Sequence, residues 1–148
     1  MQSAVQNYMP IETASQSNAA PWTGRTISAA VVLFLVFDGA TKLIREPQVL
    51  AATAELGYPL SSIVAIGALL LACTLVYVIP RTAVLGAILL TGYLGGAVAS
   101  NVRIGHPVFE CLFPVLVGVL VWAGLVLRDV RLREAIIGSL VGAGKSAA

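Results

Sequence analysis

Four long apolar stretches follow one another along the chain, with hardly a charge inside them. Residues 61–79 and 82–102 contain no Asp, Glu, Lys or Arg, 108–127 contain only Glu110, and 27–44 contain only Asp38 and Lys42. An α-helix rises ~1.5 Å per residue, so about 20 apolar residues cross a hydrocarbon layer of ~30 Å. Inside lipid only a helix or a closed barrel satisfies every backbone polar group. The pattern predicts an all-α, polytopic membrane protein, a four-transmembrane-helix bundle with spans over about 26–44, 61–79, 82–102 and 108–127.

The connections add detail. Glu46-Pro47 suits a helix start, Val49, Thr53 and Leu56 recur at helical spacing, and Gly57 followed by Pro59 ends the segment. About ten residues cannot span, so 47–56 is read as a short amphipathic helix at the outer surface, between the first and second spans. Only Pro80-Arg81 separates the second span from the third, which makes these two an antiparallel hairpin. The third span carries Gly92, Gly96 and Ser100 at four-residue spacing with Gly95 on the flank, a stripe expected to pack against a neighbouring helix. Tyr77 is expected at the inner interface, as is Trp22 beside Arg25 at the start of the first span. Pro114 lies inside the fourth span, and its missing N–H frees the carbonyl of Glu110, four residues earlier.

Composition narrows the function classes. Hydrophobic residues make up 58% of the chain and charged residues 11%, against about a quarter charged in a soluble domain. The spans consume nearly all the length. Residues 1–24 read as a disordered, Ser/Gln/Asn-rich cytoplasmic tail and 128–148 as a short basic cytoplasmic tail, both too short for a catalytic core. The net charge of +2 is small and its basic residues are dispersed, so nucleic acid is not an expected partner. Four crossings put Arg25, Arg81, Arg128, Arg131, Arg133 and Lys145 on one side and Lys42, Arg45 and Arg103 on the other. This bias places both termini in the cytoplasm and the chain in the inner (cytoplasmic) membrane. Residues 1–20 lack the basic start of a cleavable signal.

Charge inside a membrane marks candidate sites. Asp38 lies six residues before Ile44, ~9 Å below the outer end of its helix, and Lys42 follows four residues later on the same face. An internal salt bridge and a role in a pocket are both consistent with this spacing. If Pro107 opens the fourth helix, His106 and Glu110 share a side, and Asn101, Arg103, His106, Glu110, Asp38 and Lys42 all collect at the outer third of the bundle. These six are the candidate ligand-binding residues. The same residues also fit an ordinary hydrated rim.

Other chemistries find no residues. A bis-imidazole haem needs two histidines and the chain has one. A zinc site would have to be assembled from His106, Glu110 and Asp38 or Cys111 without any supporting spacing, so no metal is assigned. Cys73 and Cys111 are expected ~13 Å apart in depth, too far for a disulfide. Gly138 to Ser146 imitates a phosphate-binding loop but has five residues where that motif has four, and no helix can follow it. No catalytic residue is assigned.

Several motifs together resemble the DoxX-like family of small four-helix membrane proteins. They are Phe37-Asp38-Gly39 with Lys42, Leu56-Gly57-Tyr58-Pro59, and Tyr77 with Pro80-Arg81-Thr82. The densest stretch is Leu90-Thr91-Gly92-Tyr93-Leu94-Gly95-Gly96-Ala97, continued by Arg103-Ile104-Gly105-His106-Pro107, Phe113-Pro114 and Leu127-Arg128-Asp129. The resemblance implies four spans and, for most members, no assigned activity. The family's name comes from a membrane subunit linked to thiosulfate:quinone oxidoreductase, and other relatives are associated with redox stress systems. From this the chain is expected to be an accessory subunit or binding partner in a quinone-linked redox assembly, with quinone as a cofactor by resemblance alone. The alternative is a small carrier or lipophile-binding protein using an outer polar pocket around Asp38. Expected partners are the lipid bilayer and a membrane or soluble redox protein, and a homo-oligomer is left open. Relatives often carry histidine where Asn101 stands here, a departure that disfavours a metal or haem at that position.

Overall fold

A computed structural model describes residues 19–135 and 138. Five helices account for most of it: α1 (Ala19–Leu43), α2 (Pro47–Glu55), α3 (Ile63–Val78), α4 (Ala83–Arg103) and α5 (Val108–Arg128), with a 3₁₀ turn at Leu60–Ser62. Four of them, α1, α3, α4 and α5, are long and apolar enough to cross a membrane. Each packs against two others in the cyclic order α1, α3, α4, α5, so neighbours around the ring run antiparallel.

The helix boundaries follow local chemistry. α1 starts at Ala19, inside the stretch expected to be a disordered tail, because Ala19 and Ala20 favour helix and Pro21 is tolerated in a first turn. Residues 1–18 lie outside the described residues, as does the phosphate-loop imitation apart from Gly138. Arg45 adopts φ 55° where the chain leaves α1. The carboxylate of Glu46 then caps α2 by accepting from the N–H groups of Gln48 and Val49 at 2.8 and 3.2 Å. Gly57, at φ 75°, ends the α2 segment in the left-handed conformation that glycine tolerates best. Beyond α5, Asp129 accepts from the N–H groups of Arg131 and Leu132, and 130–135 continue as helix.

The two ends of the bundle differ in packing. At the end holding the Pro80-Arg81 turn (the hairpin end), helices touch backbone to backbone. Gly86 of α4 lies directly against the backbone of Tyr77, and a Cβ on Gly124 would stand 2.6 Å from the Ser28 hydroxyl. Tyr77 is fully buried here, a correction to the interfacial position expected for it. Its hydroxyl donates to the Val121 carbonyl at 2.9 Å and lies 3.2 Å from the Ser28 hydroxyl. Arg128 stacks over its ring at 4.7 Å and donates to its carbonyl. A phenol placed in the bundle interior needs such partners, and α1 and α5 supply them. Trp22 is exposed beside Arg25, whose guanidinium is 5.7 Å from the ring centroid.

At the opposite end, α2 and the Gly57–Pro59 segment fold across the mouth of the bundle as a lid. Tyr58 bonds Ser100 of α4 at 2.8 Å, and Arg103 donates to the Leu56 carbonyl while lying 6.0 Å from the Tyr58 ring. The glycine stripe of α4 does not behave as expected. A Cβ on Gly92, Gly95 or Gly96 would meet nothing within 4 Å, so among the described residues no helix seats on these three. Close approach uses Gly24, Gly39, Gly67, Gly86 and Gly124 instead. Ser100, the last member of the stripe, is buried by its bond to Tyr58.

Candidate functional site

The space left by Gly92 and Gly96 is a cavity of about 690 Å³ that runs from the lid well down into the bundle. All four long helices and the lid contribute to its walls. Phe34, Leu35, Asp38 and Lys42 come from α1, Ile66, Leu69 and Cys73 from α3, and Phe113, Pro114 and Val117 from α5. α4 provides the longest wall, from Ile88 to Asn101, which at helical rise makes the cavity ~20 Å long. Thr53, Leu56 and Tyr58 roof it. Its volume falls within the roughly 300–1,000 Å³ of small-molecule sites, which are mostly apolar with a few placed polar groups.

The walls explain its shape. Phe34 and Phe113 meet edge to face with centroids 5.5 Å apart and brace α1 against α5. On the other side of α1, a Cβ on Gly67 would stand 2.7 Å from the Lys42 Cβ, so the seam between α1 and α3 is tight. Leu69, midway along α3, and Ile88 and Leu89 of α4 line the cavity and are also exposed, so it communicates with the lipid side between α3 and α4. The hairpin-end packing around Tyr77 closes the floor.

Polar groups gather under the lid. The Asp38 carboxylate and the Lys42 ammonium form an ion pair at 2.6 Å, with the lysine the more buried of the two. Helical spacing delivers this pair, because residues four apart stack on one face. Thr53 donates to the Val49 carbonyl, Ser100 to that of Gly96, and Asn101 to that of Ala97, each one turn back along its own helix. Tyr93, half-buried on α4, points its aromatic side chain into the same space.

The six candidate residues divide into two groups. Asp38, Lys42 and Asn101 line the cavity. Arg103, His106 and Glu110 lie above it, where they fasten the lid and the α4–α5 connection. His106 Nδ1 is 2.6 Å from a Glu110 carboxylate oxygen and 2.9 Å from the Asn101 side-chain oxygen, while Nε2 is 3.4 Å from Glu55. Asn101 also reaches the Glu110 carbonyl freed by Pro114, at 3.5 Å. Arg103 is committed to Leu56 and Tyr58 and does not pair with Asp38. Among the described residues no three His, Cys, Asp or Glu side chains gather as a metal site. Cys73 is buried on the cavity wall, and Cys73 and Cys111 are both free thiols.

Sequence reasoning missed Tyr93, Tyr58 and Thr53 as cavity residues, and Glu55 as a partner of His106. A signal existed for the first: Tyr93 stands between Gly92 and Gly96 on a helix whose small side chains leave room beside it. A second, almost wholly apolar groove of about 630 Å³ runs along the outside of α4 and α5 past Gly95, Gly118 and Trp122.

These features define a multi-pass membrane protein whose four-helix bundle is solid at one end and hollow at the other. A family model described as the DoxX-like family matches residues 26–124, two thirds of the 148-residue chain. The chain therefore belongs to the DoxX-like family. No curated protein and no solved structure matches it.

Proposed function

We propose that this DoxX-like protein binds a lipophilic molecule with a polar head in the cavity beneath the lid. The observation that carries this reading is the combination of an apolar channel ~20 Å long, open toward lipid between α3 and α4, with an ion pair at its lid end. A membrane-dissolved molecule would slide in laterally and place its head at Asp38 and Lys42. The reading as an accessory subunit of a quinone-linked redox assembly rests on family resemblance and is compatible with the same pocket, since a quinone is itself lipophilic. A soluble redox enzyme that co-purifies with the chain would favour it.

Filling the cavity tests the pocket directly. Gly92 lines it and has open space at its Cβ position, so Gly92→Leu should be accommodated without disturbing a helix contact. Native mass spectrometry of the wild type in nanodiscs containing a 12-carbon amphiphile should show one retained adduct. The Gly92→Leu variant should lose it while unfolding at the same temperature or higher. Equal adduct occupancy in both chains would sink the pocket reading.

The orientation belongs to the same proposal. Six Lys or Arg residues fall on the side of the termini and three on the other, which favours cytoplasmic termini and an external lid in the inner membrane. In a chain with both native cysteines replaced by Ala, a cysteine at Gln48 should react with an impermeant maleimide added outside. One at Ser146 should not, and the opposite pattern reverses the orientation.

A further inference from the structure

Most hydrogen-bond donors inside the cavity are already committed. Thr53, Ser100 and Asn101 donate to carbonyls of their own helices, and the Tyr58 hydroxyl is engaged with Ser100. Cys73 lies deeper along α3 and offers only a weak thiol donor. What remains is the second carboxylate oxygen of Asp38, the third N–H of Lys42, and the hydroxyl of Tyr93, which bonds no described residue. Lys42 uses its other capacity on the Asp38 carboxylate at 2.6 Å and on the Asp38 carbonyl at 3.5 Å. Tyr93 shares the cavity wall with Asp38 and Lys42.

The pocket thus presents two free donors, the Lys42 N–H and the Tyr93 O–H, and one free charged acceptor, the second Asp38 oxygen, beside an ion pair whose net charge is zero. A hydroxyl group carries one donor and two acceptor lone pairs, the complementary inventory. A carboxylate or phosphate head would bring a second negative charge beside Asp38, and a quaternary ammonium a second positive charge beside Lys42. In a cavity walled by hydrocarbon, neither has a free partner of opposite sign, and an unpaired buried charge is strongly disfavoured. We propose that the pocket selects an uncharged, hydroxyl-bearing head on a single apolar chain, a long-chain or isoprenoid alcohol in chemical class, held by Asp38, Lys42 and Tyr93. This rests on the reading of the cavity as a lipophile site.

Three 12-carbon probes separate the possibilities: 1-dodecanol, laurate and dodecyltrimethylammonium, compared at equal mole fraction in nanodiscs at pH 9 by native mass spectrometry. The wild type should hold dodecanol about tenfold or more tightly than either charged probe, the expected scale for burying a charge without a partner. Asp38→Asn leaves Lys42 unpaired and should shift preference toward laurate. Lys42→Met leaves Asp38 unpaired and should shift it toward the ammonium probe. Tyr93→Phe removes one hydrogen bond and should weaken dodecanol about two- to tenfold with no gain for laurate. Laurate held as tightly as dodecanol by the wild type overturns the head-group assignment and leaves the pocket standing. Failure of all three probes to bind overturns the pocket itself, and with it the assignment. The wild-type comparison decides the matter even where a charge variant does not fold.

Discussion

At the residue scale, the ion pair and the buried tyrosine show how polar groups survive in an apolar bundle. Asp38 and Lys42 neutralise one another at 2.6 Å with geometry that one helix provides unaided. Removing either partner leaves an uncompensated charge against hydrocarbon, whereas removing both leaves none. Thermal unfolding in detergent of Asp38→Asn, Lys42→Met and the double variant should therefore be non-additive, with a coupling of roughly 1–3 kcal/mol. Additive losses would show that each charge is solvated separately. Tyr77 is the opposite case, a neutral polar group whose partners come from two other helices. Tyr77→Phe keeps the ring under Arg128 and loses the hydroxyl bonds, at a cost of about 1 kcal/mol in the same assay. Asp38 and Lys42 were legible in the sequence because i,i+4 spacing is a property of any helix. The burial of Tyr77 was not, because a position beside the last residue of its helix is compatible with an interfacial belt and with an interior site alike.

At the element scale, glycine acts in two different ways on the same helix. Gly86 of α4 lies against the Tyr77 backbone, so even a methyl group must push α3 and α4 apart. Gly92 and Gly96, further along, have open space where a side chain would go. Gly86→Ala should lower stability by roughly 1–3 kcal/mol, the usual cost of overpacking, while Gly92→Ala and Gly96→Ala should be neutral or slightly stabilising through helix propensity. A loss at Gly96 equal to that at Gly86 would mean that the stripe is covered, for instance by a second copy of the chain. The short helix α2 was legible from Glu46-Pro47 and Gly57, since caps and stops are local. Its role as a roof was not, because Arg103 and Ser100, which hold it, lie more than 40 residues away in the sequence.

At the scale of the whole molecule, the bundle divides into a packed hairpin end and a hollow end closed by a lid. Hydrogen exchange should follow this division, with the amides around Tyr77 and Ala87 slowest and those of 47–60 faster. Arg103→Met removes the donor to the Leu56 carbonyl and the contact with Tyr58, and should speed exchange across 47–60 while leaving the hairpin end unchanged. Uniform acceleration would show instead that the lid and bundle open as one unit. The sequence by itself determined that the chain is helical, crosses a membrane four times and carries a short helix between the first two spans. Span length, backbone satisfaction in lipid and local caps depend only on residues near one another in the chain. Tertiary structure decided which glycines pack and which leave space, and that Asp38, Lys42 and Asn101 share a cavity while Arg103, His106 and Glu110 stand above it. In a helix that is apolar on every side, side-chain pattern does not distinguish the face toward lipid from the face toward the bundle. That choice is made only when four helices meet and their shapes decide which surfaces can touch.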